Sequence, residues 1–243
     1  MVALSSIPCW SATTEADRVA ALQLYNKAAT IKDNSQQIAL YKKACAIDPS
    51  CWQAHHNLGA IYYGEQKYAD SGAEYASVAQ LQPDFDNFWL WGMAAYAAND
   101  MPSAIRAYNT ACAYVIIDQS MKPAQKACKL FLPESFLGEA YQNNKQYYEA
   151  IAAENTAIAQ IPLMDAVTKP TPDDPKEGAV YAPVYSDLGF SLAYVKDFKG
   201  SIDAFNTSIS YKDDARTELG LGLSEYQNGD HFLEGSVGAK FCA

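Results

Sequence analysis

The stretch "NLGAIYY", residues 57–63, decides the fold. A glycine inside an apolar, helix-periodic run costs about 1 kcal/mol relative to alanine, so it marks a place where something else must come close. Counting on from Gly59, Tyr68 lies nine residues away, Ser71 twelve, Tyr75 sixteen, Val78 nineteen and Pro83 twenty-four. From Gly138 the same offsets select Tyr147, Ala150, Glu154, Ala157 and Pro162. Gly92 gives Met101, Ala104, Tyr108 and Ala111, and Gly189 gives Phe198, Ser201, Phe205 and Ser208. A fainter copy puts Tyr25 in the glycine slot and reaches Tyr41, Ala44 and Pro49. Small, aromatic, small, recurring at fixed offsets, is the mark of a repeat architecture.

Each copy reads as two amphipathic helices joined by a short polar turn, the second helix closing near a proline. The glycines leave room where the second helix crosses the first, and Ser71, Ala104, Ala150 and Ser201 are the small residues expected to face them. The pattern W-x-x-x-x-x-L-G-x-x-Y at 52–62, "LGEAY" at 137–141 and "DLGFSL" at 187–192, followed by this order of small, aromatic, small and proline, resembles the tetratricopeptide-repeat (TPR) family over roughly residues 17–235. The resemblance implies an all-α fold, an α-α superhelix (a right-handed solenoid) of about five to six helix pairs.

The organisation that follows is an N-terminal extension at 1–16 and four repeats over 17–162, with a longer connection, "QSMKPAQKACKL", at 119–130. A Pro/Asp-rich loop at 163–181 comes next. Two further repeats occupy 182–243, the last degenerate or truncated because its second helix falls on "FLEGSVGAK" with two glycines. Terminal repeats are often atypical because they cap the stack, and an incomplete one would leave an apolar face open to self-association.

At 243 residues and 49% hydrophobic content the chain can bury a sizeable core. A net charge of −10 and a pI near 4.7 argue against phosphate backbones and anionic lipid as partners. The sequence holds no run of 18 or more apolar residues, and its opening "MVALSSIPCW" is too short and too interrupted by Pro8 for a complete signal peptide. The expectation is a soluble chain, either never targeted or already stripped of its targeting segment.

The resemblance also implies that the inner surface, lined mainly by first helices, binds peptides or partner proteins; such a stack has no enclosed cavity suited to chemistry. Carried across by phase from each glycine, the inner slots are His56, Asn57 and Tyr63; Asp86, Trp89, Met93 and Tyr96; Phe136, Glu139 and Asn143; Asp187, Phe190 and Tyr194; and Tyr226. Some members of the family grip a C-terminal carboxylate with lysines, an arginine and an asparagine. Here Asn57 fits the asparagine slot, but the basic slots hold His56, Leu22 and Leu90, so that clamp is not expected. An aromatic, mildly acidic groove suits an extended peptide with apolar anchors and Lys or Arg. The competing reading for Trp91, Tyr62 and Tyr96 is that they fill inter-repeat core.

Six cysteines add a second pattern. Cys45 and Cys112 share a phase near the end of a second helix, and each is followed by a cysteine near the next first helix, Cys51 and Cys128. Cys9 and Cys242 remain, one near each end. This arrangement suggests the bridges Cys45–Cys51 and Cys112–Cys128 in an oxidising, periplasmic or secreted setting. The alternative is cysteine in buried small-residue slots of a cytoplasmic protein. The histidines, His55, His56 and His231, have no metal-ligand spacing with a cysteine pair, and no metal or other cofactor is expected.

No G-x-S-x-G, P-loop or H-E-x-x-H motif occurs. "GLGLSEYQNG" at 220–229 lacks the strand a phosphate loop needs. Asp173 and Asp174 read as solvated loop carboxylates, and the acceptor-like Asn206-Thr207-Ser208 falls on a helix. The leading expectation is therefore a non-enzymatic scaffold in an extracytoplasmic assembly. The alternative is a small-ligand or substrate-binding subunit that uses the 163–181 loop as a lid.

Overall fold

The structure is a computed structural model that describes residues 13–168 and 179–229. Among the described residues every regular element is a helix, and the helices fall into two compact units with the boundary after Pro83. The first unit holds α1 (Glu15–Ala29), α2 (Asn34–Ile47), α3 (Trp52–Gly64) and α4 (Tyr68–Leu81). The second holds α5 (Phe85–Ala97), α6 (Met101–Ile117), α7 (Pro123–Asn143), α8 (Tyr147–Thr168), α9 (Ala182–Tyr194), α10 (Phe198–Tyr211) and α11 (Ala215–Asn228). Within each unit every helix packs on the next. The expected all-α architecture of helix pairs is present: five pairs, then α11.

Much of the acidic excess has a local role. Asp33, Asp84, Asp100, Asp197 and Asp214 each stand at an N-cap and accept a hydrogen bond from the backbone N–H three residues on, at 2.8 to 3.2 Å. Each such cap contributes about 1 kcal/mol and places a negative charge at the positive end of the helix dipole.

The glycine ruler has a direct physical cause. A β-carbon on Gly59 would lie 2.9 Å from the Tyr75 ring, on Gly92 2.5 Å from Tyr108, and on Gly189 2.6 Å from Phe205. The residue sixteen positions after each glycine lays its side chain against the bare backbone. The residue twelve positions after secures the crossing: Ser71 Oγ donates to the Gly59 carbonyl and Ser201 Oγ to that of Gly189, both at 2.8 Å. Phe205 is also pinned from the other side, because a β-carbon on Gly220 of α11 would meet it at 2.6 Å.

A second regularity lies seven residues after each glycine. Gln66, Asn99, Lys145 and Lys196 all adopt left-handed backbone, with φ of 59° to 67°. Each donates its N–H three residues back, while the following N–H reaches five residues back, as in Lys67 N to the Tyr62 carbonyl at 2.8 Å. This is the Schellman closure, made here without glycine. Left-handed backbone strains Gln and Lys by about 1 kcal/mol. Lys145→Gly, at an exposed position, is therefore expected to raise stability by up to about 1 kcal/mol, read as a higher urea midpoint at unchanged slope.

Helix reaches further into both expected irregular segments than the sequence suggests. The connection at 119–130 is mostly the start of a lengthened α7, which begins at Pro123, where a missing N–H costs nothing. Within this added stretch Leu130 packs with Cys112 and Val115 of α6. The 163–181 loop starts later than Pro162 suggests, because α8 continues through that proline to Thr168. Ile161 is buried against Phe131, Tyr181 and Val184, and the Tyr181 hydroxyl donates to Asp165 at 2.9 Å, so packing overrides the lost hydrogen bond. The remainder of that loop at 169–178, and "FLEGSVGAK", lie outside the described residues.

Candidate partner-binding groove

In the second unit the first helices line up on one face, α7 against α9 and α9 against α11. A row of interacting side chains runs along this face. Trp89 and Tyr96 of α5 meet the edge of Phe136 on α7 at 5.7 and 6.0 Å between ring centroids. The Tyr96 hydroxyl accepts from Asn143 Nδ2 at 3.2 Å, and burial, with the nearby Glu139 carboxylate adding to it, holds that hydroxyl protonated. Glu139 in turn acts on Asp187 of α9, whose carboxylate faces Arg216 of α11 at 3.6 Å. Arg216 lies 4.4 Å over the ring of Phe190. A cleft of about 270 Å³ opens here, lined by Glu139, Ser186, Asp187, Arg216 and Thr217 among others.

Electrostatics makes this end of the row unusual. Burial pushes the Asp187 carboxyl up to about 7, with the charge of Glu139 adding to the effect and Arg216 opposing it. Behind it lies Glu154 of α8, fully buried, with one carboxyl oxygen accepting from Ser191 Oγ at 3.0 Å and the other lacking a hydrogen-bond partner. Burial pushes Glu154 up to about 8. Gln142 bridges the two, donating to Ser191 Oγ and to the Asp187 carbonyl, both at 3.0 Å.

The other expected groove residues divide. Asp86 is exposed and 4.0 Å from Lys129 Nζ; Met93 is half-buried; Tyr194 stacks on Tyr147 at 4.3 Å; Tyr226 is exposed. In the first unit His56 packs edge-on against Tyr75, Tyr63 against Tyr68, and Asn57 donates to the Tyr41 hydroxyl at 2.9 Å. Of the aromatics with a competing core reading, Tyr62 is core, whereas Trp91 and Tyr96 are only partly buried. The sequence reading missed Arg216, Gln142 and Glu154. Glu154 had a signal: it is a carboxylate where the other copies carry a ring.

The two expected disulfides are not formed, and Cys45, Cys51, Cys112 and Cys128 are free thiols. Cys112 is buried among Val115 and Leu130, and burial pushes its thiol up to about 12, while Cys128 is exposed on α7. Cys45 is partly exposed on α2, and Cys51 is buried at the head of α3. Cys9, Cys242 and His231 lie outside the described residues.

No protein-family model matches the chain, and no curated protein matches it. Solved structures do. YrrB, a TPR protein with an unusual peptide-binding site, superposes with a TM-score of 0.60 at 16% identity, over 82% of this chain and 90% of its own. MamA gives 0.56 at 16% identity, over 90% and 98%. PilW, a type IV pilus biogenesis factor, gives 0.52 at 14% identity, over 90% and 88%. With so little identity the likeness is one of backbone, and it agrees with the glycines and left-handed turns that recur at fixed offsets in four of the helix pairs. The chain has the fold of the tetratricopeptide-repeat proteins.

Proposed function

We propose that this protein is a non-enzymatic scaffold that holds a peptide or partner protein along the face formed by α5, α7, α9 and α11. The observation that carries the reading is the row from Trp89 through Phe136 and Tyr96 to Glu139 and Asp187, in which three rings lead into two acids, all on first helices. Half-buried rings offer large contact area at low entropic cost, and the acids favour a cationic side chain between them. That YrrB is described by a peptide-binding site supports the same use of this fold. With the two bridges gone, the argument for an exported assembly goes with them.

The test is selection from a displayed peptide library on the full chain, followed by titration of the selected peptides. The expected binders combine aromatic or aliphatic anchors with Lys or Arg. Glu139→Lys with Tyr194→Ala should weaken them at least tenfold. Tyr148→Ala, an exposed ring on the second helix α8, should leave them unchanged. Peptides insensitive to the first pair and lost with Tyr148→Ala would overturn the reading.

A further inference from the structure

The cleft at the end of the row already holds a cation from the protein's own chain. Arg216 of α11 sits 4.4 Å over the Phe190 ring, with its Nη1 3.6 Å from Asp187 Oδ1. That separation makes an ion pair without a hydrogen bond, since an N–H···O contact needs about 3.2 Å or less. Asp187 is 9% exposed and lines the cleft, and among the described residues no hydrogen bond reaches its carboxylate. Even with Arg216 beside it, burial and then the charge of Glu139 keep this carboxyl up at about 7, so the pair leaves its charge incompletely balanced.

Arg216 is held loosely. Its side chain is 62% exposed, and an exposed ion pair adds little to stability. It also stands two residues after the Asp214 cap, in the first turn of α11, where the helix dipole disfavours positive charge. The other charged groups of the cleft are Glu139, Lys212 and Asp214. Asp214 is already engaged, accepting from the backbone N–H and the hydroxyl of Thr217 at 3.2 and 3.0 Å. Glu139 and Asp187 are therefore the acids left to a ligand, and a cleft of about 270 Å³ has room for a guanidinium group between them and the Phe190 ring.

We infer that Arg216 is the internal occupant of a site for an arginine side chain of the partner peptide, which displaces it from Phe190 and Asp187. The inference rests on the peptide-binding reading above and adds where the cation goes and what it must displace. An arginine on a separate chain is not bound to the α11 backbone. Its planar fork can close on Asp187 at hydrogen-bond distance and stack on the ring, with Glu139 adding negative charge. Lysine, a point charge without the fork, fits less well. A site that its own chain fills in most molecules binds an outside ligand with an affinity scaled down to the vacant fraction. Removing Arg216 therefore strengthens binding, the opposite of what losing a contact residue does.

The experiment titrates the isotope-labelled full chain with N-acetylarginine amide and with its neutral isostere N-acetylcitrulline amide, following backbone amide signals by NMR. The arginine compound is expected to shift the signals of Asp187, Phe190 and Thr217 saturably, with a midpoint about fivefold lower in Arg216→Gln than in the wild type. The citrulline compound should need about tenfold more in both proteins. Asp187→Asn, close to isosteric, should remove the preference for arginine over citrulline. An unchanged or higher midpoint in Arg216→Gln, an equal response to the two compounds, a preference that survives Asp187→Asn, or saturable shifts confined to other helices would overturn the inference. Failure of the peptide selection leaves these midpoints untouched. Selected peptides that bind through Trp89 and Phe136 while the midpoints fail would remove this site alone.

Discussion

Gly92→Val is expected to be the most damaging single substitution in the second unit, costing about 3 kcal/mol or more. The first added carbon would lie 2.5 Å from two atoms of the Tyr108 ring, far inside contact distance. The ring cannot retreat. Tyr108 is fully buried and is held by Trp89 at 5.4 Å and Phe136 at 6.1 Å, so any shift pushes on the row described above. Gly189→Val meets the same geometry at Phe205, whereas Gly59→Ala, at 2.9 Å from the Tyr75 ring, should cost less. Gly64 at the end of α3 is the control, with nothing within 4 Å, and Gly64→Ala should be neutral or slightly stabilising. Urea midpoints for these variants check the order; a Gly92→Val protein as stable as wild type would sink the account of the repeat.

The second large effect is a reversed pH dependence. Glu154 has a folded value of about 8, above its ordinary 4.5, because burial disfavours its charge. A carboxyl raised in this way is held protonated by the fold. Its contribution is therefore greatest at low pH and is lost as pH climbs from about 4.5 through about 8. At about 1.36 kcal/mol per pKa unit the loss is on the order of 5 kcal/mol for Glu154. Asp187 and Glu134, each pushed up to about 7 chiefly by burial, act in the same direction. The second unit should consequently unfold at lower urea at pH 8 than at pH 5.5. Glu154→Gln keeps an acceptor for Ser191 Oγ while removing the titration, so it should flatten that dependence and gain a few kcal/mol over wild type at pH 8. Parallel pH curves for the two proteins would refute it.

What the sequence disclosed depended on whether a structural demand narrows the choice of residue. The glycines at 59, 92, 138 and 189 were legible because a crossing with no room for a β-carbon admits little else. The left-handed turn seven residues later was not, since Gln66, Lys145 and Lys196 are residue types with no preference for that backbone and only Asn99 hinted at it. Pro162 read as a stop because local propensity says so, and packing of Ile161 overruled it. The cysteine pattern misled because equal spacing along a repeat says nothing about which way two side chains point. Of the groove, the rings on first helices followed from phase, while Arg216 lay on the atypical last helix and entered only through its contacts with Asp187 and Phe190.

Phe205, caught between Gly189 and Gly220, bears on where this array can be divided. Counting by helix pairs puts a seam between α10 and α11, the obvious place to splice in a foreign repeat or to shorten the protein. A cut there would leave a wholly enclosed phenyl ring facing water, at a cost of roughly 2 to 3 kcal/mol. The indivisible module at this end is thus three helices, α9 to α11, and any chimera has to inherit all of them or bring its own cover for the ring.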